Sequence, residues 1–214
     1  MKLLHVDSSI LGAFSASRLL GAETIRQWRA EHPHTEVEYL DLLIDTPPHF
    51  SADAMAIRAG MQSNPTPSQL HENALSERYV SQFLACDVIV VGAPMYNLSI
   101  SSQLKAWIDR LAQAGRTFKY TEEGLVGLAG DKTVIVISTR GGLYSSSEMG
   151  QAMEHQESYL KAIFGFFGIT DVRMLRAEGL ALGEAARKQA LETAELQIRA
   201  TIAGHESVRD RVLA

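Results

Sequence analysis

The chain has 214 residues, 46% of them hydrophobic, with a net charge of −5. That suits a single large α/β domain with a sizeable core, and the acidic balance, without any basic block, argues against a nucleic-acid partner. No apolar run approaches the about 20 residues of a membrane helix, no signal segment is visible and Cys86 is the sole cysteine, so the expectation is a cytoplasmic protein with no membrane partner and no internal disulfide.

Lys2 to Asp7 reads as a first strand, stopped by Ser8 and Ser9. Ser15-Ala-Ser17 opens a helix carrying Leu19, Leu20, Ile25 and Trp28, which ends at His32-Pro33. Glu36 to Asp41 alternates polar and apolar residues, as a half-buried strand near a sheet edge does. A long connection follows, broken by Pro47, Pro48, Pro65 and Pro67, with helices expected over Ala52–Gln62 and Ser68–Ala85. On the second of these, Leu70, Leu75, Tyr79, Val80 and Phe83 are the expected inward positions.

Val88 to Val91 is a third strand, rich in β-branched residues and halted by Gly92-Ala-Pro94. Its loop, Met95 to Ser99, leads into a helix with Leu104, Trp107, Ile108 and Leu111 on one stripe, from which Lys105, Asp109 and Arg110 fall away. Gly115 to Asp131 reads as irregular. Thr133 to Ser138 is continuously apolar, hence a central strand, and ends in Thr139-Arg-Gly-Gly142. A helix from about His155 to Phe167 places Tyr159, Ile163 and Phe166 on one face, and Gly168 closes it. Val172 to Ala177 is the fifth strand. A last helix, Gly183 to about Ala203, carries Leu191, Ala194, Ile198 and Ile202, and the tail beyond Gly204 is expected to be loose.

Five strands alternating with helices predict a parallel sheet covered on both faces. Periodicity leaves strand order open; the order 2-1-3-4-5 puts the switch point, where such sheets bind ligands, between strands one and three. Three strand ends carry candidate chemistry. After strand one, Ser9, Ser15 and Ser17 run into a helix N-terminus, where free amides and the helix dipole can hold a phosphate. Capping alone explains that loop equally well. After strand three, Met95, Tyr96, Asn97 and Leu98 offer amides, a carboxamide and an aromatic face suited to a flat heterocycle; a packed Tyr96 and a turn at Asn97 is the plainer account. After strand four, Gly141 and Gly142 permit close backbone approach. The three coincide at ends that converge on one crevice. No Gly-x-Gly-x-x-Gly follows strand one, no P-loop or Gly-x-Ser-x-Gly elbow is present, and no Cys/His cluster has metal-site spacing. His5 reads as structural, Asp7 and Asp41 show no catalytic pairing, and Cys86 reads as a small core residue. Phe166, on an amphipathic helix, reads as core.

The runs Asp7-Ser-Ser-Ile-Leu11, Ser15-Ala-Ser17, Ala93-Pro-Met-Tyr-Asn97 with Gln103-Leu-Lys105, Thr117-Phe-Lys-Tyr-Thr121, Arg140-Gly-Gly142, Gly165 to Thr170 and Ala177-Glu-Gly179 together carry a resemblance over nearly the whole length. The chain resembles the FMN-dependent NADH-azoreductases, bacterial flavodoxin-like enzymes also active on quinones. The resemblance implies a flavodoxin-like α/β fold: a doubly wound, five-stranded parallel sheet of order 2-1-3-4-5 with helices on both faces. Residues 1–204 would form one FMN-binding domain and 205–214 the tail. It implies that Ser9, Ser15, Ala16 (through its backbone) and Ser17 hold the FMN phosphate. Met95, Tyr96, Asn97 and Leu98 would lie along the isoalloxazine, and Thr139, Arg140, Gly141 and Gly142 at its pyrimidine end. Tyr120, Tyr144 and Phe166 would line the substrate side, in a site completed across a homodimer. Relatives often have phenylalanine at Leu98 and histidine near Tyr144. The implied activity is a ping-pong transfer from NADH or NADPH through tightly bound FMN to quinones and azo compounds, the latter cleaved to amines, with no side chain acting as a catalytic acid or base and no metal. A flavodoxin-type electron carrier is the alternative. Arg58, in the long connection, is a candidate for contact with the nicotinamide nucleotide.

Overall fold

A computed structural model describes residues 1–58 and 64–212, with side chains described as far as residue 204. Five strands form the parallel sheet: β1 (Lys2–Asp7), β2 (Glu36–Asp41), β3 (Val88–Pro94), β6 (Thr133–Thr139) and β7 (Asp171–Ala177). Their order is β2-β1-β3-β6-β7, which is the expected 2-1-3-4-5. The pairings run in register from Leu3 against Val88 to Asp7 against Gly92, and from Val88 against Thr133 to Pro94 against Thr139.

Because alternate strand residues point to opposite faces, the apolar strands feed two cores. Leu4, Val6, Ile89, Val91, Val134 and Val136 pack beneath α3 (Pro67–Ala85), α4 (Ser102–Leu111) and α6 (Glu157–Phe166). Leu3, Val88, Val90, Ile135 and Ile137 pack on the other face, beneath α1 (Ala16–Glu31) and α7 (Glu184–Val212). β3 and β6 are buried along their whole length, as the central strands of a sheet covered on both sides should be. β2, with Leu40 alone buried, is an edge strand.

The α4 stripe of Leu104, Trp107, Ile108 and Leu111 is fully buried, as the spacing requires. Arg110 is buried as well, although it lies off that stripe; its guanidinium reaches Glu72 at 2.6 Å and the carbonyl of Pro48 at 3.2 Å. α3 buries Tyr79, Val80 and Phe83, but Leu70 is exposed. Leu19 of α1 is likewise exposed, while Leu20 and Trp28 are buried.

Other boundaries moved. The helix expected over Ala52–Gln62 is α2 (Ala52–Ala56), and residues 59–63 of that expectation lie outside the described residues. The region read as irregular holds a hairpin of β4 (Phe118–Thr121) and β5 (Gly124–Gly127). The helix read from about His155 to Phe167 is α6, preceded by a short unexpected α5 (Glu148–Ala152), and α6 turns Leu160 and Phe164 fully inward, with Tyr159, Ile163 and Phe166 half-buried beside them. The backbone of α7 is helical to Val212, beyond the expected Ala203. The loose tail expected over 205–214 falls on side chains outside the described residues.

Candidate functional site

The first wall of the site grows from the end of β1. Ser8 donates from Oγ to the Gly92 carbonyl at 2.6 Å, pinning the loop to β3. Gly12–Phe14 makes one 3₁₀ turn, begun by Gly12 at φ +54°. Ser15 then caps α1: its Oγ accepts from the Arg18 amide at 3.3 Å and lies 3.0 Å from the Ser17 hydroxyl. Both serines are buried, and the Ala16 and Ser17 amides donate to no described group. Hydroxyls and free amides at a helix N-terminus form a donor set suited to a phosphate.

Beneath this loop lies a charge network that separate strand ends do not announce in sequence. Arg18 is bidentate to Asp41 at 2.5 and 2.7 Å, lies 3.7 Å from Asp7 and donates to the Ser9 carbonyl at 3.1 Å. The hydrogen bond to Asp41 holds the Arg18 guanidinium firmly charged and, from the other side, lowers the Asp41 carboxyl below its ordinary range. Tyr39 donates to Asp7 at 2.9 Å; burial, then Asp7, pushes its phenol up to about 12. His5 is buried 3.6 Å from Asp7, which fits its structural reading.

The second wall follows β3. Tyr96-Asn-Leu-Ser99 is a two-residue turn with Asn97 at φ +48° and Leu98 at φ +72°, closed by Tyr96 N–H to Ser99 at 2.9 Å and Ser99 N–H to Tyr96 at 3.1 Å. Both central residues are left-handed, the pattern of a type I′ turn. Asparagine tolerates it, whereas leucine is strained there. The turn is held from the segment just before α6 by His155 N–H to the Leu98 carbonyl at 3.0 Å. The Tyr96 hydroxyl joins the two walls, 3.2 Å from Ser9 Oγ and accepting from the Ile10 amide at 3.3 Å.

The third wall follows β6. The carbonyls of Arg140, Gly141 and Gly142 accept from the amides of Leu180, Ala181 and Gly179, while the Gly141 and Gly142 amides donate to no described group. A Cβ at Gly141 would stand 3.3 Å from the Ala181 Cβ, so the two loops are in close contact there. The Arg140 side chain does not face the crevice. It is 2% exposed and turns inward to Glu157 at 2.5 Å, Glu178 at 2.8 Å and Glu154 at 3.4 Å. The expected contribution of Arg140 at the ring therefore falls to its backbone. Gln156 knits the wall together, accepting from Ser138 Oγ at 3.2 Å and Arg140 Nε at 3.0 Å and donating to the Ala93 carbonyl. Burial alone would raise the Glu157 carboxyl; Arg176 and Arg140 outweigh it and hold the pKa below the ordinary value. Glu178 behaves in the same way, with Ser145, the Tyr144 amide and Arg140 opposing its burial.

The three walls enclose a cavity of about 180 Å³ lined by Ser9, Ser15, Ala16, Met95, Tyr96, Thr139, Arg140 and Gly141. Beyond Tyr96 lies a second cavity of about 590 Å³, lined by Ile10, Asn97, Ile100, Gln103 and Tyr159 among others. Small-molecule sites commonly span roughly 300–1,000 Å³, so the first cavity is sized for part of a nucleotide and the second for a flat partner beside it. A groove of about 750 Å³ between α1 and β2 is larger; the 3₁₀ turn after β1 and Leu43 and Ile44 after β2 line it, but neither the loop after β3 nor that after β6 does.

Ser17 sits behind the cradle and Leu98 and Gly142 flank it. Tyr120, Tyr144 and Phe166 line neither cavity. Tyr120 is 73% exposed on the hairpin and stacks edge-on against Phe118, which in turn lies 4.5 Å from Phe166. Tyr144 lies against Gly142, its ring 3.3 Å from where a Cβ would be. Arg58 also turns inward, donating to the carbonyls of Asp109, Arg110 and Ala112 at the end of α4 and lying over the Phe50 ring. Burial, then Arg110, lowers its pKa to about 10. Cys86 is buried, its thiol pushed up to about 11 by that burial, an inert environment. Among the described residues no group of three or more His, Cys, Asp or Glu could hold a metal, and no helix is long and apolar enough to cross a membrane. Sequence reasoning assigned no role to Gln156, Leu180, Ala181 or Arg187; only Glu178 lay within a quoted run, Ala177-Glu-Gly179, and there without a role.

Residues 1–202 match a family described as having a flavodoxin-like fold. An FMN-dependent NADH:quinone oxidoreductase of Albidiferax ferrireducens is 68% identical over 194 residues, covering 91% of this chain and 96% of the relative. An FMN-dependent NADH:quinone oxidoreductase 2 of Pseudomonas aeruginosa is 53% identical over 204 residues, covering 92% and 96%. Among solved structures, an FMN-dependent NADH-azoreductase of Bacillus anthracis in complex with FMN superposes with a TM-score of 0.86 at 25% identity, covering 94% of this chain and 97% of its own.

Proposed function

The chain belongs to the family with a flavodoxin-like fold, and from its likeness to the named quinone oxidoreductases and azoreductases we infer that it is an enzyme, an FMN-dependent NADH:quinone oxidoreductase that also reduces azo compounds. The observation that carries this reading is the meeting of three strand-end loops on one cavity whose free donors match a flavin nucleotide. The fit is chemical: serine hydroxyls and the Ala16 and Ser17 amides for a phosphate, the Asn97 and Leu98 turn for a ring edge, and the free Gly141 and Gly142 amides for carbonyl oxygens.

Bound FMN would supply the redox chemistry, accepting a hydride from the nicotinamide and passing two electrons, with protons drawn from it and from solvent, to a quinone, or four over two rounds to an azo bond that ends as two amines. What the protein supplies is placement. Ser9, Ser15 and Ser17 with the Ala16 backbone hold the phosphate, and the hydrogen-bonded Tyr96 fixes the spacing between that end and the ring wall. Met95, Tyr96, Asn97 and Leu98 face the ring system. Thr139 and the backbone of Arg140 to Gly142 meet the pyrimidine edge. The cavity beyond Tyr96, lined by Ile10, Ile100 and Tyr159 together with polar side chains, is where nicotinamide and acceptor would alternate. No side chain of the cradle need take or give a proton in the hydride step.

The hairpin exposes Tyr120, Leu125, Val126 and Leu128 together, beside the half-buried Phe166. That apolar surface supports a homodimer in which the Tyr120–Phe118–Phe166 stack, with Tyr144, completes the substrate side of the site. A cytoplasmic location, where NADH and NADPH are supplied, belongs to the same reading. The purified protein should be yellow and should give parallel double-reciprocal lines for NADH and quinone. A colourless protein that FMN does not reconstitute would overturn the reading, and bound flavin without steady-state NADH oxidation would point instead to an electron carrier.

A further inference from the structure

We propose that Arg187 binds the phosphate of the flavin nucleotide, adding a full positive charge to a site that the serine loop builds from neutral donors. This rests on the flavin reading above.

Arg187 stands in the first turn of α7, its amide bonded to the Gly183 carbonyl at 3.0 Å. It lines the 180 Å³ cavity, to which Ser9, Ser15 and Ala16 of the phosphate wall contribute along with Gly141 and Ala181 of the third wall. The side chain is half-buried, and it makes no ion pair or hydrogen bond with any described residue. A guanidinium lining a cavity without an anionic partner is the feature that calls for a ligand.

The other cations near this end are committed. Arg18 is bidentate to Asp41 and close to Asp7, so its charge is absorbed by two carboxylates beneath the loop. Arg140 is enclosed by Glu154, Glu157 and Glu178. Neither offers surplus positive charge to an anion in the cavity. A phosphate monoester carries about −1.5 to −2 at neutral pH, whereas a helix N-terminus presents only about half a charge. Arg187 supplies the difference, and its planar fork suits two phosphate oxygens at once.

The test is a fluorescence titration of the full chain, freed of flavin, with FMN and separately with riboflavin, which has the ring and ribityl chain but no phosphate. Arg187→Gln should weaken FMN by about tenfold or more while leaving riboflavin unchanged, since a charged hydrogen bond is worth roughly 1.5–3 kcal/mol and tenfold is about 1.4. Arg187→Lys should recover part of the loss, and added salt should weaken FMN less in Arg187→Gln than in the wild type. Unchanged riboflavin affinity also shows that the variant is folded. An unchanged FMN affinity, or equal losses for FMN and riboflavin, overturns the proposal; so does a raised KM for the nicotinamide nucleotide with FMN affinity intact. Failure of the wild-type chain to bind FMN at all instead overturns the functional reading on which the proposal stands.

Discussion

Single residues hold the cradle in shape, and each does so through a different cost. Leu98 sits at φ +72°, a backbone state that costs a side chain with a Cβ roughly 1–2 kcal/mol. Leu98→Gly should therefore raise thermal stability by about 1 kcal/mol, the lost half-buried contact taking back part of the gain; a lower melting temperature would mean that the contact matters more than the strain. Arg140 pairs with three carboxylates at once, of which Glu157 is buried and Glu154 and Glu178 are half-buried. Arg140→Met should cost about 3 kcal/mol in chemical denaturation, because it removes the cation shared by the three carboxylates and leaves Glu157 with Arg176 alone. Ser15 has two duties. Ser15→Ala should cost about 1 kcal/mol as a lost helix cap and should also weaken FMN, so a stability loss with intact flavin affinity would return it to capping alone.

Among the elements, the hairpin of β4 and β5 is the one whose docking depends on absent side chains. A Cβ at Gly127 would lie 2.1 Å from the Gly168 amide nitrogen, and Gly168 itself is at φ +90° after α6. Two backbones cross there, and Gly127→Ala should cost about 3 kcal/mol, read as a fall in melting temperature, or else displace the hairpin. The Tyr120 and Phe166 substitutions should then separate. Phe166→Ala should lower stability through the Phe118 and Phe167 contacts, while Tyr120→Ala should leave stability alone and change KM for the quinone. Unchanged KM in a stable Tyr120→Ala protein would remove it from the substrate side. At the far edge of the sheet, Gln197 of α7 engages both backbone groups of Arg176, accepting from its amide at 2.9 Å and donating to its carbonyl at 3.4 Å, which blunts the open edge of β7.

For the molecule as a whole, acid is the expected weakness. Glu157 and Glu178 have folded pKa values below their ordinary 4.5. Their contribution is complete above the unfolded value and is lost as pH falls through the folded one. The melting temperature should thus hold near neutrality and drop below about pH 4.5, and Glu157→Gln should show a shallower acid slope from a lower starting point.

The local pattern of residues was enough to determine the five strands, their alternation with helices and the buried stripe of α4, because strand and helix periodicities are written in neighbouring positions. It also singled out the three loops, since serines at a helix start and glycines at a strand end have local chemical meaning. The strand order and the roles within those loops came through resemblance and not through periodicity. Only the tertiary structure decided where the long side chains go. Arg140 and Arg58 turn away from the crevice, Arg110 is buried off its stripe, and Arg187 lines the cavity from more than 170 residues beyond Ser15 in sequence. A guanidinium on a flexible stem is placed by whichever carboxylates and carbonyls surround it, and those arrive from distant parts of the chain only when the sheet assembles.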